Sequence, residues 1–422
     1  MADYDSIDFF TDPSIVNDTP AYLAHLRARC PVLREPHHGV FMITGYDAAM
    51  EVLGSQSTHF SSAVTVNGPI PPLPFAPGGD VRAKLAAHRQ EMPWTQHLAT
   101  MDGTEHTAHR TFLTQLLTHS RLKANEDYVH GAVDSLIDKV IHKGGCEVTH
   151  EFAHALSTLV IADLLGVPEE DRQALIDLLG LPPTQMGGDA EHKVQADPLA
   201  YLHDRFRRYL AERRQQPRDD MLTGLARSRF RDGSEPELAA LTRLACFLFG
   251  AGQDTSARLV AFCFRVLGDF PEVQRQVRAD PALIPAFIEE VLRLENPVKS
   301  LSRLALADVQ IAGVAIPAGA IVTVNIGGAN RDPAHFPDPD RFDLTRPNVR
   351  DHLSFSRGVH ACIGAPLARM ETRVAMERWL ARSSDIRISE AHHGPAGARR
   401  YAYEPTYLLQ GLQALHVKWD EA

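Results

Sequence analysis

Apolar positions recur with a period near 3.6 over most of the chain and with a period near two only in short stretches. The helical pattern predicts helices over about 105–117, 122–142, 149–165, 169–180, 197–215, 234–268, 271–279, 282–295 and 366–382. Nearer the N-terminus, Val40-Phe41-Met42-Ile43 reads as a strand after Gly39. Asp47 to Leu53 reads as a short helix with Asp47 as its cap. Val309-Gln310-Ile311 and Ile321-Val322-Thr323-Val324 read as strands around Pro317-Ala318-Gly319, and Pro337-Asp338-Pro339-Asp340 as an extended meander. Strands near 407–419 close the chain. The sum is a mainly α chain with a smaller β part, an α+β arrangement. No linker interrupts it, so residues 1–422 read as one domain.

Two stretches break the periodicity. Residues 67–80 are rich in proline and glycine, which excludes regular helix or central strand. They also carry Ile70, Leu73 and Phe75, so a surface linker and a loop over a pocket fit equally. Pro182 to Asp197 reads as a connecting loop.

The predicted helix 234–268 is the longest. Ser234 and Glu237 form a capping box with Pro236 in the first turn, and Gly268 and Pro271 punctuate the end. At a rise of ~1.5 Å per residue it spans roughly 50 Å, enough to cross a large domain. Its middle, Phe247-Leu248-Phe249-Gly250-Ala251-Gly252-Gln253-Asp254-Thr255-Ser256, places two glycines and an acid–alcohol pair in an apolar run. Each interior glycine costs ~1 kcal/mol relative to alanine. Local rule-breaking of this kind often marks function, and on its own a packing kink with a solvent-facing acid fits equally.

Composition narrows the class. Hydrophobic residues are 44% of the 422, enough for a sizeable core. The net charge of -10 offers no clustered basic excess for nucleic acid. The start, Met1-Ala2-Asp3-Tyr4-Asp5-Ser6, lacks a signal-peptide pattern, and no stretch has the ~18 apolar residues of a membrane span. A cytoplasmic protein is expected. The five cysteines, Cys30, Cys146, Cys246, Cys263 and Cys362, are scattered and lack CxxC spacing, which argues against a disulfide framework or a zinc site. Four read as small buried hydrophobes.

Cys362 differs. It lies in Phe355-Ser356-Arg357-Gly358-Val359-His360-Ala361-Cys362-Ile363-Gly364-Ala365-Pro366. This segment resembles the cytochrome P450 haem loop, F-x-x-G-x-H-x-C-x-G, and the chain resembles soluble bacterial members over nearly its whole length. A thiolate ligand to haem iron favours O–O cleavage, and tightly folded backbone around the sulfur tunes it. The resemblance implies Cys362 as iron ligand, with Gly358 and Gly364 permitting the tight loop. Phe355 would shield the sulfur, and His360 would bond a haem propionate. Ser356 stands where many members have glycine.

The same resemblance covers the odd centre of the long helix, which matches A/G-G-x-D/E-T. It implies that Ala251 lies against haem and that Gly252 lets dioxygen and haem approach the backbone. Thr255 would bond the oxygen or a water, and Asp254 would relay protons. His106 and Arg110, at i and i+4, resemble the bacterial H-x-x-x-R that holds propionates, and Arg303 matches a third contact. Glu290 and Arg293 match E-x-x-R, a pair that locks the fold rather than acting in chemistry.

The implied fold is a triangular prism with haem b between the long helix and the cysteine-loop helix. The implied activity is monooxygenation of a small, mainly apolar substrate with O2. Electrons would come from a separate ferredoxin and its reductase, because no flavin or nicotinamide fingerprint is present. Arg357 or Arg369 would contribute a docking contact, and the protein would be a monomer without a membrane anchor. The substrate pocket would draw on 67–100, Phe247, Phe249, Ala251, Val298 to Leu301 and Leu409-Gln410-Gly411. Three rival readings stay open: a hydrogen-peroxide-driven peroxygenase, a non-catalytic haem sensor, and a hydrolase with Cys362 as nucleophile.

Overall fold

A computed structural model describes residues 4–55, 58–179 and 199–421. The expected loop from Pro182 to Asp197 lies outside the described residues. Helix predominates, with a five-stranded sheet, a three-stranded sheet and a two-stranded ribbon at the edges.

Most helices fall where the periodicity puts them, including Pro271–Ala279, Glu169–Leu179 and Ala365–Arg382. The differences have local causes. The helix Tyr46–Gly54 is entered from Gly45, which leaves Asp47 inside the first turn rather than capping it. The helix expected at 122–142 is His119–Asp138. Thr118 caps it by accepting from the Arg121 amide, and a separate 3-10 turn follows at Ile141–Lys143.

The longest helix runs Leu238–Asp269, so the capping box expected at Ser234 does not form. The Ser234 hydroxyl instead donates to Asp232 at 2.6 Å in a local turn. Gly268 lies inside the last turn, not beyond it. A Cβ there would sit 2.7 Å from the Ile388 side chain, so close packing against a strand explains the glycine. Of the closing strands expected at 407–419 only His416–Glu421 is regular. Residues near 403–412 form an irregular hairpin with the bridge Tyr403↔Leu412 and bonds from the Glu404 and Gln413 amides to the carbonyls of Gly411 and Ala402.

The long helix threads the main core. It packs on Ala155–Leu165, Ala200–Gln215, Ser383–Ile388 and Ala365–Arg382. Trp379 is fully buried and meets Phe152, Phe264 and Trp419 edge-on, with centroids 4.9–5.3 Å apart. Such contacts stabilise by about 1 kcal/mol each beyond area burial. They fix the cysteine helix against the long helix.

In the larger sheet the strands run in the order Val32–Arg34, Phe41–Ile43, Ile321–Asn325, Ser300–Ala305, Phe60–Ser61. Arg303 pairs with Val322 in its interior. Residues 67–80 are irregular, as expected. Ile70 packs beside Phe9 and Phe10, while Leu73 and Phe75 pack near Val64, Val81 and Met92. A helix, Val81–His88, follows within 67–100.

Glu290 and Arg293 are both wholly buried and bonded at 2.7 and 2.8 Å. Arg293 also donates to the carbonyls of Asn330, Pro339 and Arg341, and Arg346 bonds Glu290 at 3.1 Å. A buried pair with every group satisfied serves as a structural lock; breaking one partner would strand a charge.

Candidate active site

The loop that carries Cys362 is shaped by backbone demands. Gly358 has φ +73, and a Cβ there would lie 2.4 Å from the Leu53 carbonyl oxygen, so only glycine fits. A 3-10 turn over Gly358–His360 reverses the chain, and the Cys362 amide donates to the Phe355 carbonyl at 2.8 Å. Pro366 opens the helix Ala365–Arg382. The amides of Gly364 and Ala365 bond the Cys362 sulfur at that helix N-terminus, where a thiolate is favoured. Cys362 is exposed, yet protein surrounds it closely enough for burial to raise its thiol pKa. Those two amides, Arg110 and Arg369 oppose the rise.

Four side chains gather on one side of this loop. His106 and His360 lie ring to ring with centroids 3.9 Å apart. Arg110 donates to the Ala361 carbonyl at 2.6 Å. Arg303, fully buried, reaches the Thr65 hydroxyl at 2.5 Å. Burial and the neighbouring positive groups hold His106 down to about 4 and His360 to about 2, and burial lowers Arg303 to about 10. Nε2 of His106, Nε2 of His360 and Nε of Arg303 are buried without a hydrogen-bond partner among the described residues. Such a concentration of unsatisfied donors suits anionic oxygens, with Asp102 the acid that Arg303 feels.

The long helix, which packs on the cysteine helix, carries the other expected site residues. Ala251 is exposed, and Asp254 and Thr255 are partly so, in a helix otherwise lined with buried residues. The Thr255 hydroxyl donates to the Ala251 carbonyl at 2.7 Å. A Cβ at Gly252 would lie 3.3 Å from Ile161 Cδ1. Phe249 is no pocket residue; it is buried against Phe206 with centroids 5.4 Å apart. Phe247 is only partly buried and lies 6.0 Å from His97.

The two outlying pocket segments meet. Val298 bridges Leu409, the Lys299 amide donates to the Leu408 carbonyl at 2.8 Å, and the Gln410 amide donates to that of Pro297 at 2.8 Å. Arg369 is not the free docking charge expected. It bonds Glu289 at 2.6 and 2.9 Å and covers the Phe355 ring at 4.4 Å. Arg357 makes long bonds to the carbonyls of Arg350 and Asp351 and also interacts with the Tyr46 hydroxyl.

A scan of family models matches residues 178–384 to the cytochrome P450 family. The 6-deoxyerythronolide B hydroxylase of Saccharopolyspora erythraea is 32% identical over 94% of this chain and 95% of its own length. The chain belongs to the cytochrome P450 family. The PikC monooxygenase of Streptomyces venezuelae is 32% identical over 98% of this chain and 92% of its own. A Mycobacterium marinum cytochrome P450, CYP150A6, solved in the substrate-free form, superposes with a TM-score of 0.92. It is 49% identical, covering 99% of this chain and all of that one. The P450 fold and monooxygenase activity follow, with haem b as the family's cofactor. The residues present fit that group: a sulfur for the iron, and four donors, three with unpartnered nitrogens, for two carboxylates.

Sequence reasoning missed three features of this region. Glu371 is fully buried on the cysteine helix and accepts from the hydroxyls of Ser157 and Ser256, and burial raises its pKa to about 7. The turn Thr149–His154 is a π-helix that stacks His150 on His154 at 5.3 Å. Asp254 is bonded to Arg258, which in turn bonds Glu404. Glu371 left a signal in the sequence. It falls at i+4 from Leu367 and i−3 from Val374, on the buried stripe of its helix.

Proposed function

We propose that the chain is one catalytic domain, a haem-thiolate monooxygenase that inserts one oxygen atom from O2 into a small, mainly apolar molecule. It works in the cytoplasm with a separate ferredoxin and reductase. The observation that carries this reading is the set of orphaned buried nitrogens on His106, His360 and Arg303, gathered beside the loop of Cys362.

Cys362 would hold the iron, and the amides of Gly364 and Ala365 would moderate the charge on its sulfur. His106, Arg110, Arg303 and His360 would hold the propionates. Bound haem with a thiolate ligand supplies the binding and cleavage of dioxygen. On the facing wall, Thr255 orients a hydroxyl toward the open face and Asp254 carries protons to it from solvent. Ala251 leaves room for the ring, and Phe247 offers apolar surface to the substrate. A relative named as a hydroxylase supports insertion into a C–H bond.

Reconstitution with a ferredoxin and reductase tests the reading. Thr255→Ala is expected to keep electron uptake while diverting most of it to hydrogen peroxide. Turnover with added peroxide but none with ferredoxin would show a peroxygenase instead.

A further inference from the structure

We infer that Arg258 is a positioning residue for Asp254, and that Glu404, on the hairpin beside the pocket, sets how firmly Arg258 holds it. The inference rests on the reading of Asp254 as the proton carrier.

The geometry is specific. Arg258 lies one turn after Asp254 and sends Nε and Nη2 to the same oxygen, Oδ1, at 3.1 and 2.9 Å. Oδ2 makes no bond to the described residues, and the carboxylate is 29% exposed. One oxygen is therefore anchored while the carboxylate as a whole stays partly exposed. The same Nη2 donates to Glu404 Oε2 at 2.8 Å, so two acids share one guanidinium. Arg258 is 6% exposed and Glu404 7%, which puts this sharing in a medium where charge matters.

Glu404 is tied to the pocket wall. Its amide donates to the Gly411 carbonyl at 2.9 Å, across the hairpin whose turn bonds residues 297–299. A Cβ at Gly411 would lie 1.9 Å from Arg258 Nη1 and 2.8 Å from Glu404 Oε1. The hairpin thus lies directly on the guanidinium, and a side chain at Gly411 would have to displace it.

Other charges face the group from every side. His154 of the π-turn bonds Gln253 at 2.8 Å and feels Asp254 and Arg258. His150 feels Glu404, Lys299 feels Arg258 and Glu404, and Tyr201 feels Asp254. None of these four has a recorded hydrogen bond to the Asp254 carboxylate; Arg258 does.

The test follows the C–O stretch of the reduced carbon-monoxide complex at one fixed pH in the haem-loaded protein. This signal reads the field on the open face without turnover, and its width reads how firmly the nearby groups are held. Asp254→Asn is expected to shift the band. Glu404→Gln commits Arg258 wholly to Asp254 and is expected to narrow it. Gly411→Ala pushes Arg258 off without changing any charge and is expected to broaden it. Arg258→Lys is expected to broaden it less, because it keeps the charge and loses the fork. A band of the same position and width in the parent, Glu404→Gln and Gly411→Ala overturns the inference. Failure of the relay reading is separate. It appears as an Asp254→Asn protein that still couples reductant fully to product, and the band widths still decide the role of Arg258.

Discussion

The rings of His106 and His360 stand 3.9 Å apart, one from a helix and one from the cysteine loop, and each keeps an unpartnered buried Nε2. This contact joins two segments 254 residues apart at the point proposed to receive the haem carboxylates. Removing either imidazole deletes one charge-assisted hydrogen bond, about 1.5–3 kcal/mol. His106→Ala is therefore expected to lower haem affinity by roughly ten- to a hundredfold, measured as the rate of haem transfer to apomyoglobin. The double change with His360→Ala is expected to cost less than the sum, because the two rings touch. Haem retention equal to the parent's would remove His106 from the site.

Glu371 carries a pH signature. Its pKa is about 7 in the fold against an ordinary 4.5, so the unfolded chain releases this proton first. Its contribution is greatest below about pH 4.5, falls as pH rises toward about 7, and is constant above. The loss is on the order of 3 kcal/mol. Glu371→Gln is expected to remove that slope in denaturation midpoints taken from pH 5 to 8. An unchanged slope would mean that Glu371 is ionised in the fold throughout.

Ser356 has φ +59, in the left-handed region, and its hydroxyl is buried without a partner. Both features are costs that glycine avoids. Ser356→Gly is expected to stabilise the protein by about 1 kcal/mol, seen as a higher urea midpoint. A lower midpoint would show that the hydroxyl has a partner in the loaded protein.

What the sequence disclosed follows from the kind of constraint at each place. The cysteine loop was legible because its glycine and cysteine positions answer to backbone geometry and a single ligand, which few residue types satisfy. Glu290 and Arg293 were legible as a pair because i and i+3 share a helix face; their complete burial was not, since the Asn330 and Pro339 carbonyls arrive from distant chain. Phe249 was misplaced for a related reason. Helical periodicity gives a residue's angle but not which neighbour stands there, and here Phe206 does. Arg258 and Glu404 escaped notice because 146 residues separate them. The start of the long helix shifted because Ser234 found a nearer acceptor in Asp232.

The central claim is that the Cys362 sulfur is the axial ligand of haem iron. The reduced carbon-monoxide difference spectrum tests it most directly. The parent protein is expected to show the Soret band at the wavelength for which the family is named, and Cys362→Ala to lose it. A parent without that band, or a Cys362→Ala protein that keeps it, contradicts the account.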